Sequence, residues 1–467
     1  MDVTMDADHP GLAAALALAA ANEARSVDAL AAFVRIPSLT GEEGDGQAHV
    51  AALLRGLGAE VDCTEPDVDA MFAAFPDIAQ YPTHWQHDLI LPYAELPTAA
   101  ALRESGLEKV LNYRNRPNVV GLLKGTGGSR SLILNGHVDT VTVEPREAWT
   151  RDPFGAELAD GMMYGRGTSD MKGGLMAAIL AVTYLREAGV ALRGDVILQS
   201  VVNEEHAGNG TLDLVRRGIT ADAAIVLEPT ENQVFVTHPG GLYWQVDVPG
   251  IPRSPGARWN GTEQQGVSAI ERLPAVIEAL LAVEREYNAV PANDPRAADV
   301  AAFSLVMGKI AGGHYETVTA GDLTLKGGAY FSGRVGRVQD VMTRFRSAIG
   351  EANRRSPHLR CDPVRVSFLH HDDSTTQPDG IAVAQGMAAT LAARGAPSAV
   401  RHGPFCCDMR HLVNQGGIPA IVFGPGTIAQ AHKPDEHIPV SEYLAAIGHL
   451  IQFIHAWCNA PATEPSP

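Results

Sequence analysis

Four short apolar runs, each delivering a histidine or carboxylates at or just past its C-terminal end, constrain this chain more than any other feature. The first, Ser131–Val141, carries His137 and Asp139. The second, Val196–Glu205, ends in Glu204 and Glu205, and the third, Ala223–Thr230, carries Glu228. The fourth, Ala420–Gly426, is followed by Ala431-His-Lys-Pro-Asp-Glu436, which contains His432. Helical spacing over Met171–Arg186 and Leu212–Arg217 separates these runs. Short strands alternating with helices predict an α/β layer with a mixed, largely parallel sheet flanked by helices. Such sheets bind ligands beyond the carboxyl ends of their strands. His137, Glu204, Glu205, Glu228 and His432 are therefore expected to converge.

A fifth element joins them. Gly165-Arg-Gly-Thr-Ser-Asp-Met-Lys-Gly-Gly174 is a glycine-rich loop opening a helix, and it places Asp170 at the helix N-terminus, where a carboxylate is favoured. It lacks the GxxxxGK[ST] spacing of a phosphate loop. Each piece alone has an ordinary reading: a helix cap, a solvated turn, a surface histidine. Their joint placement at strand ends carries the functional one. Imidazole and carboxylate ligands without cysteine suit Zn²⁺, Mn²⁺ or Co²⁺. Two histidines and three carboxylates suffice for two ions if one carboxylate bridges.

The chain's 467 residues exceed what one hydrophobic core ordinarily serves. After Gly240 the pattern changes to strand, helix, strand, strand, helix, and from about residue 378 the helix–strand alternation resumes. The expected organisation is a catalytic domain in two parts, residues 1–238 and 371–467, with a smaller α+β lid or dimerisation domain, 239–370, inserted between them. Residues 64–116 are irregular and look like an insertion. A net charge of −18 argues against a nucleic-acid partner. Five cysteines with no CxxC pair fit free thiols and a cytoplasmic setting. The first apolar stretch follows Asp2, Asp6 and Asp8, so it reads as an amphipathic helix rather than a signal peptide. No apolar run is long enough to predict a membrane span.

The motifs GHVDTV, GRGTSDMKGG, NEEHAGNGT, LEPT and AHKPDEHIP, in this order, resemble the M20 metallopeptidase family. The likeness is to its acetylornithine deacetylase and succinyl-diaminopimelate desuccinylase-like amidohydrolases, a branch that includes a deformylase of an aminopyrimidine. The resemblance implies a homodimeric hydrolase with two divalent ions per chain, Zn²⁺ first and Mn²⁺ or Co²⁺ as alternatives, cleaving the amide bond of a small molecule. It implies that His137 and Glu228 hold one ion, that His432 and Glu205 hold the other, and that Asp170 bridges them. Asp139 would orient His137 from behind. Glu204 would be the general base, taking a proton from water and returning it to the leaving nitrogen. Family peptidases that act as aminopeptidases usually have Asp where Glu228 stands, which favours a deacylase.

Two departures concern the substrate. Where family lids read Gly-x-x-x-His, this chain reads Gly250-Ile-Pro-Arg-Ser254, so Arg253 becomes the candidate substrate contact. Where they carry an arginine after a strand, it reads Lys326-Gly-Gly-Ala-Tyr330. Other readings stay open: hydrolysis of an aryl amine or amidine, an exopeptidase or dipeptidase, or a non-catalytic relative. The last would have lost a ligand or the base, and all of them are present.

Overall fold

The computed structural model describes residues 10–78, 99–100, 112–289, 302–333, 335–355 and 362–461. Most of the irregular 64–116 stretch lies outside them.

An eight-stranded mixed sheet forms the larger layer. Its strands are β1 (Glu60–Thr64), β2 (Asn118–Leu123), β3 (Leu132–His137), β4 (Val196–Val201), β5 (Ala224–Val226), β6 (Val234–Phe235), β11 (Val400–Arg401) and β12 (Ala420–Val422). Their order across the sheet is β1-β2-β4-β3-β5-β12-β6-β11. The four central strands, β4, β3, β5 and β12, are mutually parallel. β1 and β2 extend that group antiparallel. Every residue of β3, β4, β5 and β12 is buried, the pattern of strands covered on both faces.

Helices supply those covers. Along the chain come α1 (Pro10–Ala21), α2 (Glu23–Val34), α3 (Gly44–Gly56), α4 (Gly173–Glu187) and α5 (Asn209–Arg216), and later α8 (Ala382–Ala393) and α9 (Val440–Asn459). α4 is buried almost all round, from Gly173 to Leu185. It packs against α9, whose Tyr443, Ile447, Ile451 and Ile454 share its apolar cluster. A helix so enclosed is rigid, and it follows directly on the loop that carries Asp170.

A second sheet has its own apolar cluster. Its strands are β7 (Gly240–Pro249), β8 (Phe303–Gly312), β9 (Asp322–Phe331) and β10 (Arg365–Asp372), in the order β8-β9-β7-β10, all antiparallel. β7 alternates as a one-sided strand should: Leu242, Trp244, Val246 and Val248 are buried, while Tyr243, Gln245 and Asp247 are half-buried on the other face. Two helices, α6 (Ala269–Asn288) and α7 (Val338–Arg355), belong to the same cluster and pack on each other. The pairing of β10 with β7 continues to Asp372 opposite Gly241.

Candidate metal centre

Because β4, β3, β5 and β12 are adjacent and parallel, their carboxyl ends lie side by side. His137 is the last residue of β3, Glu228 lies just past β5, and Glu204 and Glu205 lie just past β4. His432 comes from the longer loop after β12. Its φ of +61° is a left-handed conformation that side chains seldom adopt, so the loop holds the ring in place at some conformational cost.

Asp170 stands between the two imidazoles. Its Oδ1 is 3.1 Å from His137 Nε2 and its Oδ2 is 3.4 Å from His432 Nε2. On the His137 side, Glu228 Oε1 is 3.7 Å and Glu204 Oε2 3.9 Å from the same Nε2. On the other side, Glu205 Oε2 is 2.9 Å from His432 Nε2. The ligand atoms of His137, Asp170 and Glu205 lie within 4.8 Å of one another, and so do those of His137, Glu204 and Glu228. All six residues expected to meet beyond the strand ends do meet. The two faces of the Asp170 carboxylate define two neighbouring places for a cation.

The electrostatics ask for such cations. Burial and the facing Glu228 push the Glu204 carboxyl well above its ordinary range. Burial, with Asp170 and Glu205 nearby, does the same to Glu228. Burial alone would push Asp170 up too, but the imidazoles of His137 and His432 outweigh it and hold the carboxyl far below its usual value. Burial lowers His137, yet Asp170, Glu228 and Glu204 together hold it well above the normal imidazole range. Carboxylates so crowded in a dry site are stabilised by multivalent cations rather than by two histidines alone. The donor set therefore fits two divalent ions.

Two expectations need correction. The structure does not place Asp170 at a helix N-terminus. α4 begins at Gly173, and Asp170 has extended angles in an irregular turn before it. The cause is Glu436, a fully buried carboxylate that accepts from the backbone N–H of Gly167, Ser169 and Asp170 at 3.1, 2.9 and 3.1 Å, and from Arg166 Nη1 at 2.7 Å. Those N–H groups turn toward Glu436 rather than along the helix. The second correction concerns Asp139. The atom at hydrogen-bond distance from His137 Nδ1 is the backbone carbonyl of Asp139, at 2.8 Å, and its carboxylate stands off at 3.7 Å. That carboxylate instead accepts from the backbone N–H of Glu204 and of Glu205, both at 3.2 Å, and from Thr40 Oγ1 at 2.9 Å. Asp139 thus orients the ring with its main chain and fixes the paired glutamates with its side chain.

Beside the cluster opens a cavity of about 390 Å³, bordered by Glu204, Glu205 and His432. Its remaining wall includes Tyr243, Tyr330, Asp372 and Arg410, none of which the sequence had singled out as functional. Arg253 does not line it. That side chain is exposed, donates to Pro252 O at 2.8 Å, and borders a separate cavity with Arg258 and Thr319.

A mixed sheet that gathers two imidazoles and several carboxylates beyond its parallel strands, next to a cavity of small-molecule size, is the architecture of a metal-dependent hydrolase. Residues 133–456 match the model of peptidase family M20/M25/M40, and the chain belongs to that family. Among its relatives is the N-formyl-4-amino-5-aminomethyl-2-methylpyrimidine deformylase of Bacillus subtilis. It is 30% identical over 386 residues, which are 77% of this chain and 88% of the relative. A probable succinyl-diaminopimelate desuccinylase of Staphylococcus aureus is 34% identical over 138 residues, 29% of this chain and 34% of that protein. Among solved structures, the dipeptidase Dug1p of Saccharomyces cerevisiae shares the fold with a TM-score of 0.68 at 13% identity, covering 97% of this chain and 100% of its own. A tripeptidase from S. aureus does so with a TM-score of 0.66 at 18% identity, covering 94% and 99%.

Proposed function

We propose that this protein is a two-metal amide hydrolase that removes a small acyl group, formyl in the first instance, from the amine of a small molecule. The observation that carries the reading is the division of labour between two adjacent glutamates. Glu205 pairs with His432 at 2.9 Å, whereas Glu204 lies at the looser distance of 3.9 Å from His137, and both border the cavity. A base must stand at the site without being spent as a ligand, and we assign that part to Glu204.

His137, Glu228 and Asp170 would hold one ion, and His432, Glu205 and Asp170 the other, Zn²⁺ first among the candidates. Bound there, such ions supply Lewis acidity toward the carbonyl and make a water easier to deprotonate. Glu204 takes the proton from water and delivers it to the leaving nitrogen. Asp139 keeps Glu204 and Glu205 in register, and the walls of the cavity orient the substrate. The coverage of the deformylase relative along most of its length supports the formyl group. We further read residues 239–370 as a lid that pairs with a second copy. The four described cysteines, all free thiols, fit a cytoplasmic setting, and no described helix is long and apolar enough to cross a membrane.

The test is hydrolysis by the purified full chain of N-formyl and N-acetyl amines, N-formyl-4-amino-5-aminomethyl-2-methylpyrimidine among them. Acid and amine should be released in equal amounts, about two divalent ions should be bound per chain, and chelation should abolish turnover reversibly. Full activity in metal-free protein would overturn the reading.

A further inference from the structure

The cavity bordered by Glu204, Glu205 and His432 is also lined by Tyr243, Tyr330, Asp372 and Arg410, and this wall has an unusual charge arrangement. Arg410 is 5% exposed. Its Nε lies 3.1 Å from Asp372 Oδ1, in an ion pair whose side chains are 5% and 11% exposed. Its Nη1 donates to Cys407 O at 3.0 Å. Asp408, whose carboxylate is fixed by Thr211 Oγ1 at 2.6 Å, adds a second negative charge nearby. The Arg410 guanidinium is therefore already compensated before any substrate arrives. A buried arginine with a carboxylate at ion-pair distance is a poor receptor for a second carboxylate, because that anion would have to be desolvated beside Asp372.

Two tyrosines, Tyr243 and Tyr330, line the cavity beside that pair. Gly241 faces Tyr330 across β7 and β9, and Tyr243 faces Gly328. Directly opposed residues point to the same side of a sheet, so both tyrosines stand on one face as diagonal neighbours. The glycines leave room between them: a Cβ added at Gly328 would come within 3.4 Å of the Tyr243 ring, and one at Gly241 within 3.6 Å of Cys406 Sγ. Tyr330 is 46% exposed, an aromatic surface available for stacking.

We propose that the Asp372–Arg410 pair and the Tyr243–Tyr330 shelf select amides whose amine half is planar and neutral or cationic and carries no carboxylate. This rests on the amide-hydrolase reading above and goes beyond it. The two kinds of relative differ in this feature, and the cavity sides with the aminopyrimidine rather than with the dicarboxylic amino acid.

Three substrates of one shape separate the possibilities: N-benzylformamide, 4-(formamidomethyl)benzylamine and 4-(formamidomethyl)benzoate. For the wild-type full chain, kcat/KM for the benzoate should be roughly tenfold or more below that of the other two, mainly through KM. Asp372→Asn should narrow that gap by lowering the benzoate's KM, and Asp372→Glu should preserve it. A benzoate turned over as well as the amine by the wild type, or a gap unchanged in Asp372→Asn, would overturn the proposal. Should Asp372→Asn fail to fold, the wild-type series still decides. Formate from none of the three, with no acid released from the N-formyl and N-acetyl amines named above either, would refute the amide-hydrolase reading instead. Calorimetric binding of the same compounds to the Glu204→Gln chain would then still read the charge preference, with equal affinities counting against it.

Discussion

At the residue scale the decisive pair is Glu204 and Glu205. Neighbours in sequence, they are held by one carboxylate, Asp139, through their backbone N–H groups, and their side chains diverge. Glu204 also lies within ligand reach of His137 and Glu228, so geometry leaves a second role for it that substitution can separate. Glu204→Gln should bind metal nearly as the wild type does and lose roughly 10²–10⁴-fold in kcat, the span general acid–base catalysis covers. Glu205→Gln should instead weaken metal binding, read by dialysis against a graded chelator. Exchanged phenotypes would make Glu205 the base. The six residues of this cluster were legible because ionisable groups repeated at the ends of apolar runs are costly to bury unless they bind something. Asp372 and Arg410 were not. One ends a strand of the second sheet and the other begins a short helical segment before β12, and only the folded chain makes them an ion pair.

At the scale of elements, the strands and helices were largely legible because their apolar period is clean, and the loops were not because their conformation is set by partners far along the chain. The loop before α4 is the clearest case. Sequence made Asp170 a helix-terminal residue, while the structure bends the loop around Glu436, which comes from the segment just after His432. One carboxylate thus ties the Asp170 loop to the His432 loop, and so fixes the spacing of the two imidazoles about Asp170. Glu436→Gln keeps the size but removes the charge from a buried site where Arg166 would be left uncompensated. Breaking such a pair costs about 3–5 kcal/mol. The expected result is a lower Tm together with a metal affinity reduced about 10–100-fold, as for other groups that hold ligands from behind. A drop in Tm with unchanged metal affinity would make Glu436 a stabilising residue only.

At the scale of the whole molecule, acid stability and assembly can both be read. Burial lowers His238 to about 3, His411 to about 4 and His449 to about 4. His449 Nδ1 accepts from Arg394 Nε at 3.1 Å, which requires that nitrogen to be unprotonated. All three are neutral in the fold and take up protons near pH 6.5 once unfolded. Their contribution to stability is therefore complete above pH 6.5 and is lost as pH falls toward 4. The slope is up to about 1.4 kcal/mol per pH unit for each. Denaturant titrations of metal-free protein should show this decline, and His449→Gln should flatten it. Assembly concerns the second sheet. Its edge strand β8 carries Val306 and Ile310, each 56% exposed, and an apolar edge invites pairing with another copy. Sedimentation should give a dimer, and Val306→Lys should shift it toward monomer. Arg253 belongs to the same question. It does not line the cavity beside Glu204 in its own chain, so a part in catalysis requires a second copy to present it. Chains carrying Glu204→Gln and chains carrying Arg253→Ala, each impaired alone, should then complement when co-expressed. Random pairing leaves about a quarter of the sites with both groups intact. Recovery near that fraction would place Arg253 at the neighbouring site. If Arg253→Ala alone were fully active, the guanidinium would be a solvated loop charge.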